Sequence, residues 1–541
     1  MSATTITGAT GAGTDNADTL IGTVAAQRIL GRAGDDVISG SGGLTVPGAA
    51  GDTLDGQGGA DTLAGGVGND MLIGGVDADL VEGGAGADSL YGTTGGAGAN
   101  WQFDGSVPIL NVASYNSSAA AVTVNLQAGT GTGGDADGDQ LFFMNGVIGS
   151  ASGDTLTGRL NVASLLVGQG GADTMLGGGA ADTLVGGAAG DSMVGGAGED
   201  ILVAGDGSDT ARGGAGADTI YGGGAGDLIT GDAGDDLILG DGTLSVTLFG
   251  GVADAQLDAA GADTLNGGAG NDMIDGGDGN DRLDGGADAD TLAGGIGNDN
   301  LFGGDGADSL AGGNDNDSLY GGLVGDILDG GNGADRLQGD DGADTLDGGD
   351  GADVLFGGAD GDDLEGDLGN DSLFGDAGGD VLDGGDNDDR LDGGADNDQL
   401  LGGTGNDLLF GRAGADSLSG GAGADTMYGG VGAPDAYIFG AVGDSAVGTP
   451  DFIAEFERAR FVAAGLNDVI DLSAIDSGDA DGAFTFIGTA AFSGTQGEVR
   501  AVQDVVNRRV VVEVALNGDT AADMVIWVQG TGRLGATDFV L

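Results

Sequence analysis

The chain has 541 residues with 88 acidic and 14 basic side chains, a formal net charge of −74, and neither histidine nor cysteine. Every basic residue is an arginine, so the composition argues against nucleic acid, an anionic membrane surface, histidine- or cysteine-held zinc, P-loop lysines and disulfides together. So acidic a chain with few aromatics reads as solvated and disordered, yet 40% of it is hydrophobic and stands in fixed register, a conflict that a bound cation resolves.

No run of eighteen apolar residues occurs, so no membrane span is expected. The opening MSATTITGATGAGTDNADTL lacks the basic and apolar regions of a cleaved secretory leader. Residues 1–91 form a first repeat block with Asp18, Asp36, Asp61, Asp70, Asp79 and Asp88 in step. Asp52 belongs to the same block, whose register slips once near 40–46. Residues 92–148 leave the pattern and read as a small β insertion, holding Trp101, Phe103, Tyr115 and the alternating strand AAVTVNL (120–126). At about 57 residues the insertion is too small for a catalytic domain.

The repeat resumes over 149–428. Its first part carries Asp173, Asp182, Asp191, Asp200, Asp209, Asp218, Asp227 and Asp236. Residues 240–257 break the motif but number eighteen, two units, and read as one modified coil with a bulge before Asp263. From Gly267 to Tyr428, eighteen nonapeptides run without a phase break, with glycine at position 1 in every unit. Position 6 is always aspartate: Asp272, Asp281, Asp290, Asp299, Asp308, Asp317, Asp326, Asp335, Asp344, Asp353, Asp362, Asp371, Asp380, Asp389, Asp398, Asp407, Asp416 and Asp425. Position 8 is leucine except at Ile274 and Met427, and position 2 departs from glycine at Asp340, Asp367, Asp376 and Arg412.

The motif GGxGxDxUx, with U apolar, resembles the RTX nonapeptide repeat over about two thirds of the chain. The resemblance implies an all-β fold, a right-handed parallel β-roll in which two units make one turn and calcium sits in the turns between coils. The residues agree with this. Glycines allow the positive φ of tight turns. The last three residues of each unit make a strand with position 8 inward and positions 7 and 9 outward, and each buried leucine contributes roughly 1.5–3 kcal/mol. Equivalent aspartates then lie about 4.8 Å apart on neighbouring coils and repel. A hard divalent cation with oxygen ligands relieves that repulsion, and calcium fits better than magnesium, which holds its waters. The position-6 aspartates are therefore the candidate metal ligands, Ca2+ the expected cofactor in multiple copies, and folding is expected to follow calcium.

Position 9 carries a superperiod. Phe302, Tyr320, Phe356, Phe374, Phe410 and Tyr428 share one eighteen-residue phase, and the other holds Asp275, Ala293, Ala311, Asp329, Asp347, Glu365 and Asp383. Arg282, Arg336 and Arg390 recur every fifty-four residues, so three-coil copies are expected with aromatics outside one sheet. This is read either as a self-stabilising ladder or as a contact face, with Arg282 and Arg390 pairing locally to Asp284 and Asp392.

Residues 429–541 hold fewer glycines and strand-like RRVVVEVAL and DMVIWVQG, a β-rich C-terminal cap. NDVIDLSAID (467–476), FTFIGTAAFSG (484–494) and the closing DFVL (538–541) are similar to the C-terminal region of serralysin-type secreted proteins. That resemblance implies an uncleaved signal read by a type I exporter, and hence an extracellular or cell-surface protein of a Gram-negative bacterium. LNGDTAAD (516–523) spaces Asn517, Asp519 and Asp523 either as a further calcium loop or as a plain acidic turn. Neither HExxH nor GxSxG occurs, so an enzyme is not expected. The expected function is a secreted structural protein whose calcium-folded rolls self-assemble, with copies of itself and the exporter as partners. A calcium-dependent adhesin that binds a surface polysaccharide is the alternative.

Overall fold

The computed structural model describes residues 3–5, 10–13, 19–21, 28–33, 36–39, 51–92, 110–240, 246–248, 251–253, 261–456, 468–475, 484–517, 520–529 and 533–541. The chain divides into two units, Met1–Gly279 and Asn280–Leu541.

In the first unit successive strands alternate between two parallel sheets. Leu165–Gly170 pairs with Thr183–Ala188, which pairs with Ile201–Asp206 and so on to Thr219–Gly224. The intervening strands Thr174–Gly178, Ser192–Ala197, Thr210–Ala215 and Leu228–Ala233 build the second sheet. The full-length strands of the repeats are six residues long, covering positions 7–9 of one nonapeptide and 1–3 of the next, so the turn shrinks to positions 4–6. Along Thr291–Ile296, for instance, Leu292 and Gly294 are buried and their neighbours are not. Period-two alternation thus places position 8 and the following glycine inside. In the second unit the position-8 residues from Leu283 to Met427 are at most 1% exposed.

The register records each interruption. Val37 pairs with Thr62, twenty-five residues on, so the slip near 40–46 adds seven residues and still sets Ile38 beside Leu63 on the core face. The segment 240–257 is not a modified coil. Leu228 pairs directly with Thr264 and Leu237 with Met273, both thirty-six residues on. Eighteen residues are therefore looped out, and within them Val246–Leu248 and Gly251–Ala253 form an antiparallel hairpin. In phase with the repeats that stretch places Thr247 and Gln256 at position 8, so it offers the core no apolar residue there, whatever its length. The described strands of 92–148 are spliced into the same two sheets. Val112–Ser114 lies between Leu80–Ala85 and Gly146–Ile148, Ser89–Tyr91 pairs with Gln140–Phe142, and Thr123–Asn125 pairs with Thr155–Thr157.

In the second unit one sheet runs from Arg282–Ala287 to Thr426–Gly430 and continues through Asp451–Glu455 and Met524–Gln529. Arg509–Ala515 and Glu498–Asp504 then turn antiparallel. The other sheet runs from Thr291–Ile296 through Ser417–Ser419, Ala436–Ile438 and Val469–Asp471 to Phe539–Val540. Phe486 stacks on Phe539, ring centroids 5.1 Å apart. The C-terminal cap therefore extends both sheets before closing them. Among the described residues no helix is long and apolar enough to cross a membrane.

Candidate metal sites in the turns

Each nonapeptide turn ends on its position-6 aspartate, whose side chain reaches along the roll. The backbone N–H of Asp281 donates to Oδ1 of Asp299 at 2.8 Å, that of Asp299 to Asp317 at 2.8 Å, and that of Asp353 to Asp371 at 2.7 Å. The other edge repeats this from Asp290 through Asp308 and Asp326. Every candidate in the described residues occupies this position and is at most 4% exposed, while Asp18 lies outside the described residues.

The second oxygen differs. Oδ2 of Asp173, Asp191, Asp299, Asp308, Asp353 and Asp389 is buried and has no hydrogen-bond partner. It lies against the position-1 glycine five residues earlier. A Cβ on Gly294 would stand 2.5 Å from Asp299 Oδ2 and 2.7 Å from the Gly312 carbonyl oxygen of the next coil. Position 1 is therefore glycine for want of space, and position 2 is glycine for its conformation as well, with Gly295 at φ 108° and a Cβ on Gly304 2.3 Å from the Gly286 carbonyl oxygen. The exceptions at position 2, Asp340, Asp367, Asp376 and Arg412, keep φ between 62° and 75°, a left-handed backbone that costs roughly 1–2 kcal/mol outside glycine and Asx.

Burial pushes these carboxyls up. Asp353 and Asp362 rise to about 7 and Asp389 to about 8. Desolvation is the main cause, the backbone N–H of the previous rung opposes it, and the flanking aspartates add to it. A buried carboxylate with one unsatisfied oxygen beside a backbone carbonyl is a poor arrangement by itself. It suits a hard cation that takes carboxylate and carbonyl oxygens, and so fits calcium. Among the described residues no three acidic side chains gather on one point. Carbonyls of the turns must therefore supply much of any ion's shell.

Several rungs escaped the motif. Asp139, Asp154, Asp435, Asp451 and Asp468 occupy the same ladder position, as do Asn111, Asn145 and Ser164. Their shared signal is shorter than the nonapeptide: a ladder residue, any residue, then an inward apolar one, as in Asp154-Thr-Leu156 and Asp451-Phe-Ile453. In the segment 516–523, Asp523 accepts from the backbone N–H groups of Leu516 and Asn517 and from Asn517 Nδ2 at 3.0 Å, while Asp519 lies outside the described residues.

The outward aromatics form stacked pairs. Phe302 and Tyr320, Phe356 and Phe374, and Phe410 and Tyr428 have ring centroids 5.0, 4.9 and 4.9 Å apart. Arg282 lies 4.0 Å over the Phe302 ring, Arg336 4.4 Å over Phe356 and Arg390 4.5 Å over Phe410. Arg282 pairs with Asp284 at 3.3 Å and Arg390 with Asp392 at 3.0 Å, the expected local partners. On the other sheet Asp329, Asp347, Glu365 and Asp383 stand in register on adjacent strands.

A family model for the RTX calcium-binding nonapeptide repeat (4 copies) matches residues 12–44, 48–72, 65–101, 167–202, 203–238, 259–292, 293–328, 329–364, 365–400 and 401–434, more than half of the chain. No curated protein matches the chain. Solved structures similar to it include the solution structure of the AlgE6R3 subunit from the Azotobacter vinelandii mannuronan C5-epimerase. That match has 28% identity, covers 29% of this chain and 78% of that one, and has a TM-score of 0.22.

Proposed function

The chain belongs to the RTX calcium-binding nonapeptide repeat family and binds multiple calcium ions, and from that premise we propose a secreted structural protein whose calcium-folded rolls assemble with their own copies into an extracellular layer, filament or matrix. RTX repeats are typical of secreted proteins. Calcium bound in the turns supplies positive charge to oxygen donors. The chain's own part is to hold Oδ2 of rungs such as Asp299, Asp308 and Asp353 buried and unsatisfied, at Asp299 beside the Gly312 carbonyl, so that the coil closes when the charge is met. That orphaned oxygen is the observation that carries the calcium-gated half of the reading.

The assembly half is supported by the outer faces of the second unit. One bears the arginine–aromatic row in three fifty-four-residue copies, the other the acidic row from Asp329 to Asp383, and such faces suit copy-to-copy contact. The aromatic geometry counts against the polysaccharide reading. Phe302 has Arg282 on it and Tyr320 stacked with it, so the row presents ring edges where sugar stacking needs open faces. For export we propose the cap, residues 429–541, as the exporter's address. Removal of residues 538–541 should leave the chain inside the producing cell.

Electron microscopy of the purified chain is the test. Ordered polymers in millimolar calcium and none in chelator support the proposal. Single monodisperse particles at high concentration in calcium contradict the assembly half.

A further inference from the structure

The ladder is not chemically uniform. Between residues 110 and 170 of the first unit, five rungs have no orphaned oxygen. Asn111 and Asn145 are neutral amides whose Oδ1 accepts the N–H of Asp79 and Asn111, at 3.2 and 2.7 Å. Ser164 holds the next position and donates its N–H to Asp182 Oδ1 at 2.5 Å. Asp139 remains a carboxylate, but both its oxygens are met: Oδ1 by the N–H of Asp88 at 2.7 Å, Oδ2 by the hydroxyl of the buried Tyr115 at 3.0 Å. Asp154 is likewise complete. Its Oδ1 accepts from the Val122 N–H at 2.7 Å and the Ser150 hydroxyl at 2.9 Å, and its Oδ2 from the Ser150 N–H at 2.5 Å.

The same section and the two coils after it have more apolar burial than the coils of the second unit. Val112, Leu165, Val167, Val185 and Val203 flank the inward residues of their strands, so alternation puts them on the outer face of the sheet. They are nevertheless at most 5% exposed and cluster together. Corresponding outward positions in the second unit hold Asp329, Asp347 and Glu365. These five rungs all lie in residues 102–166, which the repeat model leaves out.

We infer that residues 110–170 are a metal-independent section of the roll, folded without calcium, on whose edges the calcium-dependent coils are laid down. A parallel solenoid must form its first coils before any neighbour can template the next. Here those first coils are the ones whose buried polar groups are satisfied by protein alone and whose sheet buries apolar side chains on both faces. The irregular stretch is then the seed of the repeats rather than a break in them.

Hydrogen exchange of the full chain, read by mass spectrometry in chelator and in millimolar calcium, tests this. In chelator, peptides from 112–170 should exchange about tenfold or more slowly than peptides from 345–410, and both should be protected in calcium. Equal exchange of the two regions in chelator overturns the inference. Tyr115→Phe removes the donor to Asp139 Oδ2. It should cut the chelator-state protection of 112–170 about tenfold while 345–410 keep their calcium-state protection. Unchanged chelator-state exchange in that variant also contradicts it, and an equal loss in both regions and both conditions would show a merely structural tyrosine.

Discussion

Residues 110–170 and residues 281–425 build coils with the same backbone and close them with different chemistry. In both, a side-chain oxygen of one coil accepts the N–H of the previous rung, whether from Asn145 to Asn111 at 2.7 Å or from Asp371 to Asp353 at 2.7 Å. What separates them is the second oxygen and the outer face. The earlier region satisfies its polar atoms with Tyr115 and Ser150 and buries valines on the outer face. The later one leaves Oδ2 of Asp353 orphaned and turns Asp347 and Glu365 outward. The amide-to-carboxylate ladder therefore sets coil geometry, and the second oxygen decides whether a coil needs a cation.

The most damaging change should be steric. Gly294→Ala places a methyl 2.5 Å from Asp299 Oδ2 and 2.7 Å from the Gly312 carbonyl. A loss of about 3 kcal/mol from the calcium-loaded second unit is expected by denaturant unfolding. Because backbone is one of the clashing groups, relaxation can recover little. Next, Asp353→Asn keeps the Oδ1 acceptor and deletes the charge. It should make the neighbouring coils about 1 kcal/mol more stable in chelator and less stable in calcium, a crossing of signs that calorimetry in the two conditions would reveal. A loss in both conditions would break the comparison.

Proton uptake offers a third handle. Asp353 and Asp389 rise to about 7 and 8 when the roll is folded, from a carboxyl value of 3.8. Groups raised in the folded state stabilise it fully below the unfolded value and lose that contribution as pH rises through the folded one. In chelator, the β signal should therefore grow as pH falls from 8 towards 5. In calcium, protons compete and the calcium midpoint should move upward over the same range. The smallest effect concerns the aromatic row. Phe356→Ser with Phe374→Ser removes one stacked pair and should cost about 1 kcal/mol, leave the calcium-induced β signal intact and impair assembly.

Much of this was readable from spacing alone. An aspartate and an inward leucine every nine residues dictate coils, core and ladder, and they placed every described candidate aspartate at its rung. Spacing could not show why position 1 is glycine, because the obstacle is an oxygen five residues on and a carbonyl on the next coil, as at Gly294. Nor could it distinguish a coil from an eighteen-residue loop, since both conserve phase; only the Leu237–Met273 pairing does so. Asn111, Asn145 and Ser164 were hidden because an amide or hydroxyl can fill the rung without the flanking glycines that made the motif visible.

The account rests on calcium meeting the orphaned oxygens of the repeats. Far-ultraviolet circular dichroism of the full chain during a calcium titration from excess chelator tests it most directly. A partial β signal from the metal-independent section, rising steeply to its full value as calcium is added, is the predicted result. A β signal already complete in chelator would contradict it.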